Sequence, residues 1–102
     1  MDDKVPIEYQ EYLKAHGAFE GFTSGKPGYI ALWRIEELQS NNADIGIQEL
    51  APGYLAFAGD GAGEVLAFDL SGAVFMLPLI GMEAQYATKI ASSFRELAER
   101  FE

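Results

Sequence analysis

The sequence predicts an α+β domain in which helices pack against an antiparallel-rich sheet of about four strands. Two observations lead to this fold class. The middle of the chain holds apolar segments joined by short glycine-containing connections, which can link antiparallel strands but cannot cross over between parallel ones. The segments near the two ends instead show the spacing of amphipathic helices. With 102 residues, 49% of them apolar, the chain can form one core, and residues 1–102 are expected to be a single domain.

The first third of the chain predicts a helix, a loop and a strand. The helix is expected from Pro6 to His16, because proline is tolerated in a first helical turn and Gly17 is typical of a helix end. The spacing i, i+3, i+4 and i+7 places four residues on one face of this helix: Tyr9, Tyr12, Leu13 and His16. Residues 17–28 are rich in glycine and predict a loop. The short apolar and aromatic segment Tyr29–Trp33 predicts a strand, with Trp33 mainly buried.

The rest of the chain predicts a second helix, three strands and a closing helix. The second helix is expected over residues 34–41, and the asparagine pair 41–42 together with Gly46 is expected to break it. The strands are predicted at Tyr54–Ala58, Glu64–Leu70 and Val74–Leu79. The closing helix is predicted from Ile90 to Phe101, where apolar residues recur on one helical face.

The charge of the chain is unevenly distributed. The net charge is −9, and residues 35–88 contain eight acidic residues and no basic one. Phosphate binding needs clustered lysine and arginine, so this composition argues against a nucleic-acid partner. If the acidic side chains share a face, that face attracts a basic protein and speeds its encounter. If they do not, they form a solvated surface that maintains solubility.

The residue types leave little room for catalysis, for a cofactor or for a metal site. The chain has no cysteine and one histidine, and the glycine-rich segment 59–64 matches neither a phosphate loop nor a calcium loop. Its glycines are expected to allow positive φ angles in a hairpin. The alternative is that Asp60, Glu64 and Asp69 converge on a hard cation such as Ca²⁺.

The hydropathy pattern gives no sign of a membrane segment. The longest apolar run, residues 73–80, has eight residues, whereas a helix that spans a bilayer needs about 20. The first residues lack the basic and apolar regions of a signal peptide. The sequence therefore predicts a cytoplasmic protein.

Four segments, in order along the chain, resemble a known superfamily. Residues 5–13 resemble the opening helix of the SUKH superfamily, which includes fungal cell-wall-synthesis regulators and bacterial immunity proteins. Residues 29–38 look like its step from a strand that ends in tryptophan into a helix. Residues 52–61 with 63–69 are similar to its central hairpin, and residues 90–97 look like its closing helix.

The resemblance implies an α+β domain without enzymatic activity whose bacterial members bind a toxin, often a nuclease, and block it. A basic toxin would suit the acidic middle of this chain, since a nuclease carries a basic cleft for its phosphate substrate. We expect the binding face to draw on six acidic residues: Glu36, Glu37, Asp44, Glu49, Asp60 and Glu64. The oligomeric state stays open.

Two other functions are compatible with the sequence. The first is a regulatory adaptor of the same fold that binds a host protein through an apolar and aromatic surface, for which Trp33, Tyr29 and Tyr54 are candidates. The second is a small carboxylate-based cation-binding domain built on residues 60, 64 and 69.

Overall fold

The computed structural model describes residues 4–102, and these form helices packed on one antiparallel sheet. The elements are α1 (Ile7–His16), β1 (Glu20–Phe22), β2 (Tyr29–Leu32), α2 (Ile35–Ile45), α3 (Ile47–Leu50), β3 (Leu55–Gly59), β4 (Glu64–Phe68), β5 (Val74–Pro78), a 3₁₀ turn (Ala84–Tyr86), β6 (Thr88–Ala91) and α4 (Phe94–Ala98). The strands lie in the sheet in chain order, and every neighbouring pair is antiparallel. The α+β class is confirmed, and the sheet has six strands where about four were predicted.

Both faces of the sheet are covered, which explains why its central strands are apolar apart from Glu64 at the start of β4. Along β4, Leu66 and Phe68 belong to one buried cluster, and Val65 and Ala67 belong to a second. Because successive side chains of a strand point to opposite faces, these clusters lie on the two sides of the sheet. Residues of α1 and α4 contribute to the first cluster, and Ile47 of α3 contributes to the second.

The first cluster is built around the ring of Tyr9, which is fully buried. Its centroid lies 5.1 Å from that of Phe57, 5.7 Å from Phe68 and 5.0 Å from Phe94, each in an edge-to-face arrangement. Phe57 and Phe68 stack on each other with centroids 4.0 Å apart. Aromatic pairs of this geometry each contribute about 0.5–1.5 kcal/mol beyond the area they bury. This cluster therefore attaches α1 and α4 to the middle of the sheet.

The second helix is longer than predicted. It continues through Asn41 and Asn42 to Ile45 and ends at Gly46, whose φ of 68° is left-handed. The prediction of a break at the asparagine pair is wrong because the Asn42 amide is buried and hydrogen-bonded. Its Nδ2 donates to the Leu38 carbonyl at 2.8 Å, and both ends of the amide bond to the backbone of Ala56. These bonds remove the reason for asparagine to disfavour a helix interior.

Two strands lie where the sequence predicts other structure. Within the predicted loop 17–28, β1 pairs with β2 through Glu20–Ala31, Gly21–Ile30 and Phe22–Tyr29. The predicted closing helix begins at Ile90, but Ile90 and Ala91 belong to β6 (Thr88–Ala91), and α4 begins only at Phe94. The Ser93 hydroxyl caps α4 by accepting a hydrogen bond from the Glu96 N–H at 3.1 Å.

The C-terminal residues join the two edges of the curled sheet. Phe101 bridges to Thr23, directly after β1, and the Glu102 N–H donates to the Phe22 carbonyl at 3.0 Å. The Arg100 guanidinium donates to the Ile90 carbonyl of β6 at 2.7 Å and to the Lys26 carbonyl at 2.9 Å. These contacts leave less unpaired backbone at the edges of the sheet, where another chain could otherwise pair.

Candidate functional site

An open groove of about 500 Å³ lies beside the glycine-rich hairpin between β3 and β4. It is lined by Trp33, Asn41, Asp44, Ile45, Gly59, Gly61, Gly63, Glu64, Val65 and Leu79. The lining combines apolar side chains with two carboxylates, and none of its residues within the described range 4–102 is basic. A groove of this composition fits a side chain that has an apolar stem and a cationic end.

Three hydrogen bonds hold the walls of this groove, two between backbone groups and one from the backbone to a side chain. The Trp33 N–H donates to the Phe57 carbonyl at 2.9 Å, which fixes the chain between β2 and α2. The Leu79 N–H donates to the Gly63 carbonyl at 2.9 Å, which ties the end of β5 to the hairpin. The Asp60 carboxylate closes that hairpin by accepting from the Glu64 N–H at 3.0 Å. The groove is therefore held by the sheet itself, by the β3–β4 hairpin and by the segment that joins β2 to α2.

The end of α2 adds to the negative potential of the groove. Asp44 lies one residue before the last residue of this helix, and the last turn contains no basic residue. The free carbonyls at a helix C-terminus carry a partial negative charge, which ordinarily favours lysine or arginine there. A carboxylate at this place is electrostatically unfavourable in the isolated chain. It becomes favourable when a cation binds beside it.

The structure brings two of the six predicted acidic residues into this groove. Asp44 is exposed at its wall, and Glu64 is half-buried there. Asp60 lies at the hairpin that forms one side, but its Oδ1 accepts hydrogen bonds from the backbone of its own turn. Glu49 is exposed on α3 and is not part of the lining.

The other two predicted acidic residues lie at the beginning of α2. Glu36 lines a different groove, between α1 and α2, together with Lys14 and Arg34. Glu37 uses its Oε1 to accept a hydrogen bond from the Arg34 N–H at 2.9 Å, which caps the helix. Basic neighbours thus accompany Glu36, whereas Asp44 and Glu64 face a groove lined by none.

The proposed cation site at Asp60, Glu64 and Asp69 does not form. Within residues 4–102, no three histidine or acidic residues are grouped so that they could hold a metal ion. The Asp69 carboxylate instead closes the β4–β5 turn, accepting from the Ser71 N–H at 2.9 Å and the Ala73 N–H at 3.0 Å. Desolvation raises the pKa of this carboxyl, but the hydrogen bonds from Ser71 and the turn backbone outweigh it and hold the pKa below its ordinary value.

The sequence does not predict the apolar residues that line the groove. Ile45 and Leu79 line it, but the local sequence around each indicates only a helix or a strand and no binding site. Trp33 is half-buried and contacts both core clusters, whereas the sequence predicts that it is mainly buried. The sequence places Leu79 at the end of a predicted strand, whereas in the structure it follows β5 and is 41% exposed.

The comparison with protein families matches almost the whole chain. The model of the SMI1 / KNR4 family (SUKH-1) matches residues 3–100. The chain belongs to the SMI1 / KNR4 family. No curated protein sequence matches it.

Membership of the SMI1 / KNR4 family confirms the resemblance seen in the sequence. Domains of this SUKH family are in general non-catalytic immunity or regulatory domains, and they bind protein partners. No helix in residues 4–102 is long and apolar enough to cross a membrane. In this SMI1 / KNR4 domain, the groove at Asp44 and Glu64 combines acidic and apolar surface.

Proposed function

We propose that this SMI1 / KNR4 domain is an immunity protein that binds and neutralises a basic toxin of the nuclease type. The observation that carries the proposal is the groove whose lining combines Asp44 and Glu64 with apolar side chains. A domain that blocks such a toxin inside the producing cell acts in the cytoplasm, which agrees with the expectation from the sequence. We propose no catalytic step and no cofactor for it.

The charge of the chain supports a basic partner. Residues 35–88 carry eight acidic residues and no basic one, and this stretch runs from α2 through the groove to the 3₁₀ turn. A nuclease has a basic cleft because its substrate is a polyanion. An acidic domain that enters the cleft competes with that substrate, and the long-range attraction speeds association. Glu36, Glu37, Glu49 and Asp60 contribute to that attraction in this proposal.

The test begins with capture of a partner by the tagged domain from the source cell, with washes at low and high salt. The protein that salt releases is then expressed alone in a bacterial host and together with this domain. We expect a basic protein that degrades nucleic acid and arrests growth, and we expect co-expression to restore growth. The purified domain should also stop nucleic-acid degradation at an equimolar amount.

A pair of charge-reversal variants makes the test specific for the groove. Asp44→Lys/Glu64→Lys should abolish the rescue of growth. Glu11→Lys/Glu99→Lys introduces the same charge change at two exposed residues outside the groove and should retain rescue. If the salt-released protein does not harm cells, or if both double variants rescue equally well, the proposal is wrong.

Exposed apolar residues between β5 and β6 favour one second candidate, a regulatory adaptor. Ile80 is 93% exposed and Tyr86 is 52% exposed, both in the segment between β5 and β6. Such side chains can form the apolar centre of a protein interface. A captured partner that resists high salt, is not basic and is lost with Ile80→Ser would favour the adaptor over the immunity protein.

A further inference from the structure

We propose that the groove at Asp44 and Glu64 binds an arginine side chain that the partner presents. The proposal rests on the proposed function for the source of that side chain, a basic protein. It adds the chemical identity of the group that enters the groove. It also divides the acidic residues into two that contact the partner directly and others that act at a distance.

The apolar residues that line the groove fit the aliphatic stem of an arginine side chain. Trp33, Ile45 and Leu79 come from three separate parts of the fold and are half-buried or partly exposed, so each offers apolar surface to a ligand. Val65, which also lines the groove, is buried. A long basic side chain can place its methylene groups on a surface of this kind and keep its charged end at the rim.

The two carboxylates that line the groove provide the negative charge that a cationic side-chain end needs. Asp44 comes from the end of α2 and Glu64 from the start of β4, so the two carboxylates approach from different elements. The carbonyls at the C-terminus of α2 add partial negative charge. Among the described residues, no basic one belongs to the lining, so none of them neutralises these carboxylates inside the groove.

The chemistry of the groove favours arginine over lysine. A guanidinium is planar, presents five donors that match carboxylates, and stacks on an aromatic ring such as that of Trp33. The lysine ammonium is more strongly hydrated, so a partly apolar groove removes more of its favourable hydration. The groove between α1 and α2 is the less suitable alternative, because Lys14 and Arg34 stand beside Glu36 there and repel a cation.

The position of Trp33 makes the proposal directly measurable. It is the only tryptophan of the chain and it lines the groove, so its fluorescence reports occupancy. We would titrate the full chain with three blocked tripeptides, acetyl-Gly-Arg-Gly-amide, acetyl-Gly-Lys-Gly-amide and acetyl-Gly-citrulline-Gly-amide. Citrulline has nearly the shape of arginine without its charge, which separates ionic recognition from shape.

We expect saturable binding of the arginine peptide with a millimolar Kd, binding of the lysine peptide about fivefold weaker, and no saturation with citrulline. Amide shifts in a parallel NMR titration should map to Asp44, Glu64 and Leu79. The variant Asp44→Asn/Glu64→Gln should weaken arginine binding about tenfold, because two ion pairs are lost. Its matched control, Glu11→Gln/Glu99→Gln, should bind as the wild type does.

Three results would overturn the proposal. The first is equal binding of the arginine and citrulline peptides, and the second is equal weakening by the two neutral double variants. The third is a set of NMR shifts that maps outside the groove. None of them affects the growth-rescue test, so the failure of this site is distinguishable from the failure of the immunity function. Conversely, if the domain does not rescue growth but binds arginine selectively, the immunity function is wrong and the arginine-binding groove stands.

Discussion

The side-chain amide of Asn42 pairs in both directions with the backbone of Ala56. Its Nδ2 donates to the Ala56 carbonyl at 2.9 Å, and its Oδ1 accepts from the Ala56 N–H at 2.8 Å. This geometry takes the place of a neighbouring strand, because β2 pairs with β3 only through Ala31–Gly59 and Leu32–Ala58. Where the chain leaves the sheet to form α2, one asparagine on that helix completes the hydrogen bonding of β3.

The variant Asn42→Ala should therefore be destabilised by about 2–4 kcal/mol. Ala56 is fully buried, and loss of the amide leaves both of its backbone groups without this partner. The free energy of unfolding from urea titrations measures the effect. Asn41→Ala changes the same residue type one position earlier and should cost less than about 1 kcal/mol. Equal losses in the two variants would refute the pairing as the source of stability.

The Tyr9 hydroxyl gives a second prediction, which depends on pH. It donates to the carbonyls of Trp33 and Phe57, and its burial raises the pKa of the phenol well above the ordinary value of 10.0. Tyr9→Phe should cost about 1–2 kcal/mol at pH 7, because the Trp33 carbonyl loses its bond from this hydroxyl, whereas the Phe57 carbonyl keeps the Trp33 N–H. The same substitution at Tyr86, which is 52% exposed, should change stability by no more than about 0.5 kcal/mol.

The difference between wild type and Tyr9→Phe should shrink above pH 10. A phenol whose folded pKa is raised contributes stability that is complete below its unfolded pKa and is lost as the pH rises toward the folded one. In that range the unfolded wild-type chain releases the Tyr9 proton and the folded chain retains it. Urea titrations at pH 7, 9 and 10.5 would detect the trend, and a constant difference would show that Tyr9 does not titrate in this way.

Two arginines near the C-terminus, Arg95 in α4 and Arg100 after it, can be compared for their contribution to stability. Arg100 donates to two backbone carbonyls, at 2.7 and 2.9 Å, whereas the Arg95 side chain is 79% exposed and lies 3.5 Å from Glu8. We expect Arg100→Ala to lower the free energy of unfolding by about 1–2 kcal/mol. We expect Arg95→Ala to change it by less than about 0.5 kcal/mol, because exposed ion pairs contribute little. A reversed order would contradict the role of Arg100 at the sheet edges.

Asp69 should make an acid-sensitive contribution to stability. Its folded pKa lies below the ordinary value of 3.8, so the contribution is complete above that value and is lost as the pH falls through the folded pKa. Asp69→Ala should cost about 1 kcal/mol at pH 6 and clearly less at pH 3. Thermal unfolding at the two pH values provides the measurement. A cost that stays the same at pH 3 would show that the charge of the carboxylate is unimportant.

The acidic residues should separate kinetically once the basic partner is available. Asp44→Asn and Glu64→Gln should mainly raise the dissociation rate, because both side chains face the groove. Neutral variants of Glu36 and Glu49 should mainly lower the association rate, and this effect should disappear at high salt. Surface plasmon resonance at 50 and 500 mM salt distinguishes the two classes. If all four variants change the two rate constants in the same way, the acidic residues cannot be divided into those that contact the partner and those that attract it from a distance.

Much of the fold is encoded in local patterns. The first helix follows from its spacing and from Gly17, and the three central strands follow from apolar segments with short turns between them. The edge strands do not follow, because β1 has a mostly exposed pattern and β6 exposes Thr88 and Lys89. Such segments become strands only by pairing with β2 and β5, which no local pattern reveals.

The sequence by itself determined the charge of the middle segment, the α+β class and the resemblance to the SUKH superfamily. Only the tertiary structure decided that Asp44 and Glu64 share a groove with Trp33 and Leu79, whereas Glu36 lies beside basic residues. The physical reason is the range of the interactions involved. Composition and periodicity depend on neighbours along the chain, while a groove depends on strand pairing and helix packing between residues that are distant in sequence.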